Sequence, residues 1–211
     1  MNKELPKEEK FHMSWPHDFH GFDREGHPVY YEKTSYLEPS VVLEQFTMEE
    51  VEELHAQMQE YMANLKQQVS KEKGVLVYKS IVIMDMSCLG MKHMSSSFFG
   101  PIKSILNIDQ YYYPETMHKL YVINCPFVFR MMWNIVKPML HPLTVAKINI
   151  CGYDFITQLR SIMDDDQIPK YLGGSCSCCT SEPLEKQVPA KLAKLKQQRA
   201  ARIKAAAESK S

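Results

Sequence analysis

Three cysteines near the carboxyl end have the clearest capacity for chemistry in this 211-residue chain: Cys176, Cys178 and Cys179. Thiolates bind zinc, but a structural zinc site usually shows two separated ligand pairs in the sequence. No second pair accompanies this run, so we predict no zinc site. The run precedes a basic segment, which leaves two interpretations open: reversible S-acylation beside a polybasic patch, or reduced thiols in a flexible tail.

Histidines and aspartates also occur in groups. Four histidines near the start lack ligand spacing, and we expect them to face solvent: His12, His17, His20 and His27. Three consecutive acids, at 164–166, point in different directions and predict a solvated loop. The motifs of serine hydrolases, phosphate-binding loops, dinucleotide folds and zinc proteases do not occur. The sequence therefore predicts no catalytic residue, no metal and no cofactor.

Charge and hydropathy narrow the class of protein further. Lys plus Arg and Asp plus Glu both number 25, so the whole chain gives no electrostatic case for nucleic acid. The balance hides a basic tail, since residues 182–211 carry eight basic and three acidic side chains. The longest uncharged apolar stretch, at 120–129, is about half as long as a spanning helix must be. Without an apolar leader, we expect a reducing, cytoplasmic setting.

The order of local patterns predicts an α/β domain with a largely parallel sheet. Thr47 and Glu50 form a capping box at the start of a long amphipathic helix that runs to Gly74. The other elements are a turn and short strand ending near Tyr31, strands at 75–86, 120–125 and 147–150, and helices at 95–109, 127–139 and 153–163. We divide the chain into an irregular lead-in (1–14), one domain (15–174), and a cysteine cluster with a basic helical or disordered tail (175–211).

Two features point to a hydrophobic ligand. Fourteen methionines suit a pocket that accepts a flexible apolar molecule, although an ordinary core can also use them. The helix at 127–139 is apolar on nearly every face, which indicates either full burial or contact with something other than water. Arg130 and Lys137 resist full burial, so the second interpretation, a helix at a lipid or membrane, is favoured.

Several motifs in a fixed order resemble the CRAL-TRIO lipid-binding family, in particular its Sec-fourteen-like phosphatidylinositol transfer proteins. The motifs are DREGHPVYYEK, a strand ending in IMDM, YYYPETMHKLYVINCPFVF, VKPMLHPLTVAKI and IPKYLGG. The resemblance covers Trp15 to Gly174. It implies a sheet-floored hydrophobic pocket flanked by helices, with a mobile gate helix over its mouth at Phe127 to Leu140. The gate residues it implies are Phe127, Phe129, Met131, Trp133, Val136 and Lys137.

The resemblance also implies a headgroup site. Thr144 and Lys147 match the residues that hold the inositol phosphate in the family, and Glu115 matches a member of the same network. Ser80 matches one of two hydroxyl residues that some members use for phosphatidylcholine, but the second position is Val82, which cannot donate a hydrogen bond. Only about fourteen residues precede the lobe, where family members normally carry a helical domain.

The expected function is to bind a phospholipid, phosphatidylinositol first, and to exchange it between membranes without catalysis. We expect a cytoplasmic monomer that associates peripherally and transiently with membranes. An alternative is a lipid-sensing regulatory module that recruits a partner or lipid kinase without net transfer. A carrier of a retinoid, sterol or tocopherol fits less well, since an uncharged ligand does not require Thr144 and Lys147.

Overall fold

A five-stranded mixed sheet forms the centre of the structure, a computed structural model that describes residues 8–36 and 39–178. The strands are β1 (His17–Phe22), β2 (Pro28–Glu32), β3 (Ser80–Asp85), β4 (Met117–Ile123) and β5 (Ile148–Ile150). Their spatial order follows the chain order. Only the β1–β2 pair is antiparallel, so the predicted α/β fold with a largely parallel sheet is confirmed.

Helices cover both faces of the sheet unequally. They are α1 (Glu8–Ser14), α2 (Pro39–Gln45), α3 (Met48–Lys73), α4 (Ser96–Tyr112), α5 (Phe127–Val136), α6 (Pro142–Val145) and α7 (Phe155–Ile162). Sequential parallel strands joined by right-handed crossovers place their connecting helices on one face. The buried clusters agree, because α3, α4 and α5 contribute to one cluster and α7 to the other.

The long helix α3 has the ends that its sequence predicts. Glu50 N donates to Thr47 Oγ1 at 3.3 Å, and Thr47 N donates to Glu50 Oε2 at 2.9 Å. Gly74 stops the helix in a left-handed conformation with φ 67°, which costs glycine little. The capping box is therefore confirmed.

The lead-in and the first long strand differ from the sequence interpretation. Residues 8–14 form α1 and are not irregular, because the Phe11 ring packs 5.6 Å from Phe46 and 5.8 Å from Trp15. Strand β3 begins at Ser80 rather than near residue 75, since the preceding Val75 and Leu76 are exposed and have no strand partner. Strand β1 and helix α2 were not predicted.

The prediction that all four amino-terminal histidines face solvent is wrong for one of them. His17 is buried between α1 and β2, and its Nδ1 lies 2.8 Å from the carbonyl oxygen of Trp15. Burial lowers the pKa of His17 to about 3, so this side chain is a neutral core residue. The predicted basic tail, at 182–211, lies outside the described residues.

Candidate functional site

A cavity of about 710 Å³ lies between the sheet and helices α3, α4 and α5. Its volume falls in the range of small-molecule sites, roughly 300–1,000 Å³. Alternate residues of the strands face into it, as the two-residue period of a strand requires. These residues include Tyr30 on β2, Val82 and Met84 on β3, and Leu120 and Val122 on β4. The sheet is therefore the floor of the cavity.

Methionines form much of the remaining lining. Seven of them border the cavity: Met58, Met62, Met84, Met86, Met117, Met132 and Met139. Unbranched thioether side chains change rotamer at low cost and can follow the shape of a flexible apolar ligand. The arrangement agrees with the interpretation of the methionine content as a pocket feature.

Helix α5 closes one side of the cavity and is apolar on two faces. Phe129, Trp133 and Val136 line the cavity, and the Phe129 and Trp133 rings stack with centroids 6.2 Å apart. Phe127 and Met131 are exposed by 79% and 44%. The predicted gate residues therefore divide into an inner row and an outer row.

The polar residues of this helix lie away from the cavity. Arg130 and Lys137 are exposed, and neither lines the cavity. The solvent-facing side of α5 therefore combines large apolar side chains with two cations.

The four predicted headgroup residues meet at one edge of the sheet. Ser80 begins β3, Glu115 precedes β4, and Thr144 and Lys147 precede β5. Parallel strands start at the same edge, so these residues come together, and all four line the cavity. Lys147 Nζ donates to Glu115 Oε2 at 2.8 Å. Their role in headgroup binding stays a prediction.

The ion pair of Glu115 and Lys147 lies at the mouth of the cavity, partly exposed to water. The Glu115 side chain is 60% exposed and that of Lys147 22% exposed. The hydrogen bond and charge of Lys147 lower the pKa of Glu115, so this carboxylate is ionised at neutral pH. Glu115 has φ 59°, a left-handed conformation that is uncommon for a residue other than glycine. Such conformations concentrate at ligand sites.

One positioning residue was not predicted. Gln110, on α4, donates from Nε2 to the carbonyl oxygen of Met139 at 3.4 Å and accepts at Oε1 from His141 N at 3.1 Å. It thus holds the segment that connects α5 to Thr144. The sequence prediction ended this helix at residue 109, one position before Gln110, and nothing in its neighbourhood signals this contact.

A buried polar group in the cavity wall was also missed. Glu32 accepts hydrogen bonds from the hydroxyls of Tyr30 and Thr34. Burial raises the pKa of Glu32, because a charged carboxylate is costly away from water. Nearby, Asp109 Oδ1 lies 2.7 Å from His55 Nε2 and accepts from Gln59 Nε2 at 2.7 Å. Tyr30 and Thr34 flank Glu32 in the sequence, whereas the contacts of Asp109 with α3 depend on the tertiary fold, so no local pattern reveals them.

The fold and cavity define a class: an α/β domain that encloses a large apolar chamber beneath a helix with two apolar faces. Residues 13–174 match the family model described as the CRAL/TRIO domain. The chain belongs to this family, which confirms the resemblance found in its motifs.

Several curated relatives, from Arabidopsis thaliana, carry names that specify lipids. The chain is 32% identical over 167 residues to the phosphatidylinositol/phosphatidylcholine transfer protein SFH12 of Arabidopsis thaliana, covering 78% of this chain and 30% of that protein. It is equally identical over the same length to SFH11 of that plant, covering 44% of that protein. The Sec14 cytosolic factor of Schizosaccharomyces pombe is 34% identical, with 78% of this chain and 57% of that protein covered. The chain therefore spans between 30% and 57% of the length of these relatives.

A solved structure supports the fold. The crystal structure of Sfh5 superposes with a TM-score of 0.62 at 21% identity and covers 80% of this chain and 56% of that one. Within the described residues, no helix is both long enough and apolar enough to cross a bilayer.

Proposed function

We propose that the chain binds one phospholipid, preferentially phosphatidylinositol, in the cavity and exchanges it between membranes without catalysis. The observation that carries this proposal is an apolar chamber of about 710 Å³ with a lysine–carboxylate pair at its mouth. Removing acyl chains from water stabilises the complex by about 25 cal/mol per Å² of apolar surface. The names of the plant relatives, which specify phosphatidylinositol and phosphatidylcholine, support a phospholipid as the ligand.

The charged pair provides the headgroup contact. Lys147 would turn from Glu115 to the lipid phosphate, because a phosphate at the mouth of an apolar chamber needs a charged partner. Glu115 would then accept hydrogen bonds from inositol hydroxyls, which a choline group lacks. Thr144 has a hydroxyl for the phosphate. Val82 has none, so we propose weak binding of phosphatidylcholine.

Helix α5 would act as the gate. Its inner row contacts the acyl chains, and its outer row, Phe127 and Met131, meets the membrane during exchange. Opening exposes apolar surface, and lipid in place of water reduces this cost. We propose a cytoplasmic protein that contacts membranes peripherally and transiently and acts as a monomer, since one chain supplies the described walls of the cavity.

The headgroup role is tested by the Lys147→Ala variant. We expect loading of labelled phosphatidylinositol from vesicles to fall at least tenfold, because the charge-assisted contact contributes roughly 1.5–3 kcal/mol. Lys103→Ala, which removes an exposed lysine of α4, is the matched control and should load as well as the unmodified protein. Equal loading by both variants would contradict the headgroup assignment.

The gate is tested by Phe127→Asp, because a carboxylate on the outer row would have to enter the lipid phase. We expect vesicle-to-vesicle transfer of phosphatidylinositol to slow severalfold while the amount bound at equilibrium stays nearly constant. Glu44→Asp, an exposed conservative change on α2, serves as the control. Transfer at the unmodified rate would mean that Phe127 does not enter the membrane.

A further inference from the structure

Side chains with affinity for soft metals meet beside the outer strand of the sheet, from opposite ends of the domain. Cys176 Sγ lies 2.9 Å from Cys178 Sγ, and Cys178 Sγ lies 3.9 Å from Nδ1 of His20 on β1. The potential ligand atoms of the three residues all lie within 4.8 Å of one another. His20 and Cys178 are 158 positions apart in the sequence, which is why spacing alone did not predict the cluster.

The backbone around the cluster is held by one short segment. A 3₁₀ turn at Asp165–Gln167 contacts β1 on one side, where Gln167 Oε1 accepts from Phe22 N at 3.3 Å. Gly21 follows His20 with φ 70°, and a Cβ there would lie 2.5 Å from the carbonyl oxygen of Gln167. The close approach of the two backbones therefore requires glycine.

The cysteine segment is attached to the same turn. Ser175 N donates to the carbonyl oxygen of Asp165 at 2.8 Å, and Cys176 N donates to that of Ile168 at 3.4 Å. Gly174 passes so close to Ile168 that a Cβ would lie 2.1 Å from its carbonyl oxygen. Protein contacts thus bring the histidine and the thiols together without a metal.

We propose that His20, Cys176 and Cys178 bind a thiophilic divalent cation, with zinc as the expected ion, and that the ion fastens the end of the domain to β1. Zn–S bonds of about 2.3 Å in a tetrahedral site separate two sulfur atoms by about 3.8 Å. Cys178 would therefore move by roughly 1 Å, which its exposed position permits. Each thiol releases its proton to solvent on binding, and the neutral imidazole uses a nitrogen lone pair.

The three side chains leave one position of a tetrahedral ion unfilled. A water molecule would take this fourth position.

This site differs in place and purpose from the lipid site, since none of its residues lines the cavity. It would also compete with S-acylation, one of the two interpretations that the sequence left open for this run of cysteines. Cys176 is only 3% exposed, so an acylating enzyme cannot reach its thiol in this fold. A bound ion would in addition make the Cys178 thiolate unavailable for acylation, and it would hold Cys178 beside β1.

The test uses the full chain, reduced, stripped with a chelator, loaded with zinc and desalted. We expect about one zinc per chain by elemental analysis. Loading with cobalt in place of zinc should give the sulfur-to-metal band and the visible bands of a tetrahedral ion. The Cys176→Ser, Cys178→Ser double variant should retain no metal, and His20→Ala should bind about tenfold more weakly or worse.

A matched control separates the cluster from thiols in general. Cys88→Ser removes an exposed cysteine elsewhere and should bind zinc like the unmodified chain. Phosphatidylinositol loading by the double variant confirms that it is folded. The proposal is overturned if the unmodified chain retains no zinc, if the double variant retains it equally, or if mass spectrometry of the reduced and reloaded chain finds a Cys176–Cys178 disulfide instead.

Discussion

The two faces of the sheet share the same strands but differ in packing: one face forms a dense core and the other borders a cavity. On the α7 face, Ile81, Ile83 and Ile123 are at most 1% exposed and pack in a cluster with Leu159. On the other face, Val82 and Met84 border a cavity of about 710 Å³. A strand alternates its side chains between faces, so adjacent residues of β3 belong to a dense core and to an open chamber.

This difference separates stability from ligand binding. A well-packed face stabilises the fold through burial and dispersion contacts. The chamber leaves many such contacts unmade on its side of the sheet, and its occupant would supply them. Binding of a ligand to the folded state alone also raises the free energy of unfolding. The α7 cluster therefore contributes its full stabilisation to the empty domain, whereas the residues that line the chamber do not.

The largest expected effect is a difference in the free energy of unfolding between substitutions on the two faces. Leu159→Ala should lower the free energy of unfolding by about 2–5 kcal/mol, because it creates a void in the packed cluster. Met84→Ala, on the cavity face, should cost clearly less, since its side chain already borders open space. Urea denaturation of the lipid-free protein measures both. Equal losses would show that the two faces are packed alike.

A smaller effect concerns the buried carboxyl group on the cavity face. Burial raises the pKa of Glu32 above its ordinary value of 4.5, so the folded state holds this proton to higher pH than the unfolded chain. The stabilisation is complete below the ordinary value and is lost as pH rises through the raised pKa. Glu32→Gln keeps an acceptor but does not ionise, so its stability relative to the unmodified protein should increase with pH over this range.

Thermal unfolding of the two proteins between pH 4 and pH 8 measures that difference, with Glu53→Gln on the exposed side of α3 as the control. A difference that does not change with pH would mean that the pKa of Glu32 is not raised in the folded state.

Much of the fold and part of the site could be predicted from the sequence, but only where the signal was a local pattern or a family motif. The capping box of Thr47 and the β-branched run before Asp85 predicted α3 and β3, because both depend on neighbouring residues. Family motifs predicted which residues meet at the mouth. The α1 helix was missed because Phe11 is buried by Phe46, which is distant in the sequence. The contact of Gln110 with the segment after α5 also depends on the tertiary fold.

The most direct measurement is native mass spectrometry of the full chain purified from cells, with identification of the released lipid. We expect a one-to-one complex with a phospholipid, mainly phosphatidylinositol. Val82→Trp should bind this lipid more weakly, because the indole occupies part of the chamber beside its floor. Val75→Trp, which introduces the same indole at an exposed position before β3, should keep it. An unmodified protein without bound phospholipid, or a Val82→Trp variant that binds it equally well, would contradict the assignment of the cavity.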